Sequence, residues 1–121
     1  MKLLLVIGTG SFIGGVLRFL ISQFIQTKTS LTFPFGTLGV NIAGCLLIGV
    51  VYGLVAQSRI TDEWRLFLAT GILGGFTTFS AFSYESVMLL REGQLVYSFV
   101  YIASSVLLGL AATFVGLQLV K

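Results

Sequence analysis

The sequence predicts an all-α integral membrane protein with four transmembrane helices, the third of them broken mid-membrane. Three observations predict it. Of 121 residues, 56% are hydrophobic and 9% charged, whereas a soluble domain carries about 25% charged residues; too few are present to coat a water-facing surface. Four apolar runs, about 3–25, 35–56, 64–90 and 95–120, each reach the ~20 residues that a bilayer crossing needs. They use nearly the whole chain, leaving one four-span membrane domain over 1–121. Inside the third run, Gly71-Ile72-Leu73-Gly74-Gly75-Phe76-Thr77-Thr78 resists an unbroken helix. Glycines weaken helix propagation, and threonine hydroxyls compete for backbone hydrogen bonds.

The same totals exclude several classes. Net charge is +3, but the seven basic residues are scattered and form no patch for nucleic acid. Cys45 stands alone and histidine is absent, so neither a disulfide nor a His/Cys metal site is available within one chain. No pair of carboxylates lies within the apolar runs, so nucleophilic and acid–base catalysis lack players. An enzyme is not expected.

The first span opens with Met-Lys-Leu-Leu-Leu, which imitates a secretory signal. The apolar run continues through Gly14-Gly15 to Ile25 without a small-x-small cleavage site, so it reads as a retained span. Gly10 and Gly14 have the spacing that lets transmembrane backbones approach closely. Arg18 lies inside this span, nearer its far end. It reads either as an arginine snorkelling to the interface or as a cation at a vestibule mouth that draws anions in.

Gln26 to Thr32 makes a polar loop, and Pro34 stands near the first turn of the second span, where proline is tolerated. That span carries Asn41, the only amide in its apolar stretch, followed by Gly44, Gly49 and Gly53. Asn41 is either interhelical glue or a donor to a passing anion. Gln57 to Glu63 forms the next loop, and Trp64 stands where an interfacial anchor belongs. The third span passes the break and reaches Leu90, with Glu85 near its exit; Arg91-Glu92-Gly93 then turns the chain. In the fourth span Tyr101, Ser105 and Gly109 share one helical face, and Ala112-x-x-x-Gly116 repeats the close-packing spacing.

Four spans return both termini to one side. That side holds Lys2, Arg59, Arg65 and Lys121; the other holds Lys28, Arg91 and the embedded Arg18. So weak a bias lets the chain insert either way round.

The chemistry left is permeation. Phe79 and Phe82, three apart, stand on one face of a helix. Phenylalanine rings present a positive edge, which can meet an anion without offering it a full charge. Packing is the ordinary role of such a pair, but here Thr78, Ser80 and Ser83 interleave hydroxyls, with Asn41 and Tyr101 able to add donors from neighbouring spans. Donors beside aromatic edges suit a small, strongly hydrated anion. Carbonyls released near Gly74 and Thr77 suit a hard cation, as in other broken membrane helices. One chain offers too few for a full shell, and a two-fold partner would double the count.

Gly36-Thr37-Leu38-Gly39-Val40-Asn41-Ile42-Ala43-Gly44, followed by Gly74-Gly75-Phe76-Thr77-Thr78-Phe79-Ser80-Ala81-Phe82-Ser83, resembles the Fluc (CrcB) family of fluoride ion channels. The first span's Gly15-Val16-Leu17-Arg18 is similar too. The resemblance implies an antiparallel dual-topology homodimer in the cell's inner (plasma) membrane, with two pores that passively export fluoride. It implies that Phe79 and Phe82 line the path, that Asn41 donates to the ion, and that Tyr101 and Ser105 contribute from the fourth span. It further implies a structural sodium ion, not transported, on the backbone carbonyls of Gly74 and Thr77 from both subunits. Arg18 would sit near a vestibule and Glu85 near a pore end. The chain departs from the family's commonest pattern at Ala81, where a threonine often stands.

The alternative is a small dual-topology drug-efflux transporter, also of four spans. Proton-coupled exporters of that kind need a carboxylate in the first span, and none lies between Leu3 and Ile25. A structural subunit of a larger membrane complex is a third reading, which leaves the polar stripe without a role beyond assembly.

Overall fold

Backbone polar groups in hydrocarbon must be satisfied within the chain, and this chain meets the demand with helices. The computed structural model describes Met1–Lys121 and contains no strand. In order come α1 (Lys2–Gln26), α2 (Phe35–Ala56), α3 (Asp62–Arg65), a π-helical segment π1 (Leu66–Leu73), α4 (Gly74–Phe76), α5 (Phe79–Arg91) and α6 (Leu95–Leu119). Four stretches are long and apolar enough to cross a membrane: α1, α2, the composite Asp62–Arg91 and α6. The composite starts at Asp62 rather than Trp64 because Thr61 caps it, its hydroxyl accepting the Trp64 N–H at 3.3 Å. Asp62 and Glu63 then sit in the first turn, where negative charge is favoured.

Polar contacts at the two ends establish the up-down order of the spans. Lys2 Nζ lies 3.5 Å from Glu63 Oε2, and Gln57 Nε2 donates to the Val120 carbonyl. Both termini and the α2–α3 loop therefore share one end. At the other, Thr32 Oγ1 donates to Gln94 Oε1 at 2.8 Å, joining the α1–α2 loop to the start of α6. Gln26 closes the α1–α2 loop by donating to Phe33 O and accepting from Gly36 N.

Two pairs of helices pack backbone to backbone. α1 lies on π1 and α4, where a Cβ on Gly14 would strike the Ile72 carbonyl and one on Gly75 would come within 2.5 Å of Ser11 O. α2 lies on α6, where Gly116 Cα would stand 3.1 Å from a Cβ on Gly49. Approach this close is available only to glycine. Only 21 of 121 residues are buried, so most large apolar side chains, among them Phe12, Phe19, Phe99 and Phe114, face outward. That arrangement is stable with lipid as the solvent.

The third span is interrupted, but not where its glycines cluster. Gly71 continues π1 and Gly74-Gly75 form α4; the non-helical residues are Thr77 and Thr78. Thr77 takes ψ 156 and Thr78 φ −150, ψ 122, extended values that β-branched residues favour. Gly71 and Gly75 serve close approach to α1, Gly74 stays exposed, and the threonines turn the chain. Thr77 Oγ1 donates back to the Leu73 carbonyl at 2.9 Å, and Thr78 Oγ1 caps α5 by accepting the Ala81 N–H at 3.2 Å.

Candidate functional site

The interruption opens a cavity of about 470 Å³ whose walls include Asn41, Gly74, Thr77, Thr78, Phe79, Phe82 and Ser105. Seven of the residues singled out in the sequence thus meet at one place, brought from α2, the broken span and α6. One side of the cavity is open: Phe79 is 78% exposed, and Gly74 is exposed as well.

Asn41 anchors the break. Its Oδ1 accepts the Thr78 N–H at 2.8 Å and its Nδ2 donates to the Thr78 carbonyl at 3.0 Å. The amide therefore binds its own chain at two points. It does act between elements, as the glue reading has it, while a second N–H on Nδ2 stays available to the cavity.

The carbonyls released at the break fall into two sets. Gly74 O loses its helical partner, since Thr78 N–H goes to Asn41. Thr77 O accepts no hydrogen bond, since the Ala81 N–H goes to Thr78 Oγ1, and Phe76 O accepts none either. By contrast, the Thr78 carbonyl is satisfied by Asn41, and the Gly75 carbonyl accepts from Arg18 Nε at 3.1 Å. Arg18 is half-buried and packed against the broken span rather than reaching past the end of α1.

The aromatic pair is aligned as its spacing predicts, with Phe79 and Phe82 ring centroids 5.6 Å apart. Behind Phe82, at 5.2 Å, lies the ring of Tyr101, fully buried. Tyr101 does not wall the cavity; its hydroxyl donates to Glu85 Oε1 at 3.0 Å, and Thr37 Oγ1 donates to Glu85 Oε2 at 3.0 Å. Ser105 Oγ is the one buried side-chain polar atom with no hydrogen-bond partner. An orphaned hydroxyl on a cavity wall is a donor held ready.

The hydroxyl stripe is shorter than the sequence suggests. Ser80 and Ser83 are exposed and stand off the cavity wall: Ser80 is turned about 100° from Phe79, while Ser83, only about 40° round from Phe79, lies a full turn further along α5. Ser80 Oγ lies 3.3 Å from Thr78 Oγ1. Thr37, part of the Gly36–Gly44 motif but not one of the candidate site residues, joins the polar group at Glu85. It lies four residues before Asn41, hence on the same face of α2, and that spacing was a usable signal. The buried Ser98 Oγ, which donates to the Ser86 carbonyl at 2.9 Å and ties α6 to α5, carried no such signal.

A family model described as CrcB-like protein, Camphor Resistance (CrcB), matches residues 5–117. The chain belongs to the CrcB family. It is 48% identical over 122 residues to the fluoride-specific ion channel FluC of Chlorobium phaeobacteroides (strain BS1), covering 98% of this chain and 92% of that one. It is 46% identical to the protein of the same name from Flavobacterium psychrophilum, covering 100% and 98%. A third relative so named, from Phocaeicola vulgatus, is 46% identical, with 97% of each chain covered. These names describe an ion channel and not an enzyme. With family membership and four spanning helices together, this CrcB-family chain is a multi-pass membrane protein.

Proposed function

We infer that the protein is a fluoride channel, passing the ion through the inner membrane down its gradient and so lowering cytoplasmic fluoride. The observation that carries this is the 46–48% identity, over 98% or more of the chain, to two proteins named fluoride-specific ion channels. The cavity supports it. Fluoride leaves water only where donors replace its hydration, and the Asn41 amide, the Ser105 hydroxyl and the edges of Phe79 and Phe82 meet there. None of them is a full positive charge, so the ion is held weakly enough to leave.

The working unit in this reading is an antiparallel homodimer with two pores. The open side of the cavity, with Phe79 and Gly74 uncovered, supports a second copy seated against it. Basic residues divided between the two ends support insertion in both orientations. A structural sodium ion on the dimer axis would take the carbonyls of Gly74 and Thr77 from each subunit. Both carbonyls have lost their helical N–H partners to side chains, to Asn41 and to Thr78 Oγ1, and they are hard oxygen ligands of the right kind. When bound, the ion would offset carbonyl dipoles brought face to face.

The test is efflux from liposomes loaded with potassium fluoride, followed with a fluoride electrode after valinomycin is added. Rapid fluoride release, with chloride retained in a parallel preparation, is the expected result. No release above protein-free liposomes would end this reading.

A further inference from the structure

We propose that Asn41 is a positioning residue for the axial cation, acting by holding Thr78 out of the helical ladder; this rests on the sodium reading above. In a continuous helix the Thr78 N–H bonds to the Gly74 carbonyl. Asn41 Oδ1 takes that N–H at 2.8 Å, and Asn41 Nδ2 pairs with the Thr78 carbonyl at 3.0 Å. This is the two-point pairing that a neighbouring strand offers an extended residue, and Thr78 is extended.

The consequence reaches both cation-facing carbonyls. Taking the Thr78 N–H frees Gly74 O directly. Holding Thr78 extended also sets its Oγ1 as the cap of α5, where it accepts the Ala81 N–H that would otherwise serve Thr77 O. One side chain on α2 therefore strips two carbonyls on the third span of their partners. Two carbonyls lie between them: Arg18 does the opposite for Gly75 O, satisfying it and leaving it out of the set, while Phe76 O accepts no hydrogen bond and is no part of the proposed shell. Asn41 also borders the cavity, so the anion path and the cation site share one amide.

The experiment compares the native protein with Asn41→Ala and Asn41→Asp in lipid nanodiscs, in sodium chloride and in N-methylglucamine chloride of equal ionic strength. Two quantities are read: the rise in unfolding temperature with sodium, which reports cation binding to the folded state, and hydrogen exchange at the Thr78 amide. Asn41→Ala is expected to weaken the apparent sodium affinity and to speed Thr78 exchange, each by about tenfold, the factor that one lost hydrogen bond is worth. Asn41→Asp, which matches the shape of the amide and keeps the acceptor for the Thr78 N–H but loses the donor to the Thr78 carbonyl, is expected to fall between the native protein and Asn41→Ala in both readouts. Should Asn41→Ala fail to assemble, Asn41→Leu, close to the native volume and without polar atoms, replaces it. An alanine or leucine variant with the native sodium response overturns the proposal, as does one with a protected Thr78 amide. A native protein indifferent to sodium overturns the sodium reading instead, and Thr78 exchange alone then judges the pairing.

Discussion

Arg18 Nε donates to the carbonyl of Gly75 at 3.1 Å, across 57 residues of sequence. The charge is thereby used inside the fold, on a backbone acceptor that lies beside the break. Arg18→Met keeps the apolar stem and removes the donor. Leaving Gly75 O unpaired is expected to cost about 1–3 kcal/mol. The relief from burying no charge is smaller near a span's end than at its centre, so the lost bond decides the sign. A lowered unfolding temperature for the variant in detergent checks it.

Tyr101→Phe removes one of the two hydroxyls that hold Glu85, leaving Thr37 Oγ1 at 3.0 Å. The ring packing on Phe82 is unchanged. Stability is expected to fall by about 1–3 kcal/mol, the cost of leaving a carboxyl oxygen short of a donor. Fluoride efflux is expected to slow, because Glu85 is freed one turn from Phe82. Efflux and unfolding measured on one preparation separate the two effects.

Phe79→Ile and Phe82→Ile are expected to collapse fluoride efflux. They differ in stability. Phe79 is 78% exposed in the single chain, so its replacement takes little from the fold of one subunit. Phe82 packs between Phe79 and Tyr101, and its loss is expected to cost about 0.5–1.5 kcal/mol beyond area burial. Native efflux from both variants would remove them from the ion path.

Ser105→Ala deletes a buried hydroxyl that has no partner. Relieving an unsatisfied group is expected to leave stability unchanged or raise it by about 1 kcal/mol, while efflux falls. A donor kept for a passing ion gives that opposite pair of signs; a packing residue loses stability and flux together.

Gly75→Ala would bring a Cβ within 2.5 Å of Ser11 O and 3.1 Å of Gly15 N, both backbone atoms that cannot swing aside. A cost of about 1–3 kcal/mol is expected from the forced separation of α1 and α4. Gly8→Ala meets nothing within 4 Å, and is expected to be neutral or to stabilise α1 by up to about 1 kcal/mol. Yield of folded protein and unfolding temperature distinguish them.

What the sequence by itself determined is what solvent and local stereochemistry dictate. Apolar runs of bilayer length become helices because hydrocarbon leaves the backbone no other partner, and so four spans were legible from length and composition alone. Thr77-Thr78 marked the interruption through chemistry within two residues, branching at Cβ and hydroxyls that reach nearby backbone. Phe79 and Phe82 shared a face because three residues nearly complete a turn.

Only the tertiary structure decided which atoms meet. That Arg18 serves Gly75, that Asn41 pairs with Thr78, and that Glu85 lies between Thr37 and Tyr101 each depends on the rotation and depth of two helices far apart in sequence. A one-residue change of register turns a side chain by about 100°, as Ser80 illustrates by standing off the cavity that Phe79 lines. The glycines set those rotations. By letting α1 touch the third span backbone to backbone, they place its freed carbonyls within reach of particular side chains, and no local pattern encodes that reach.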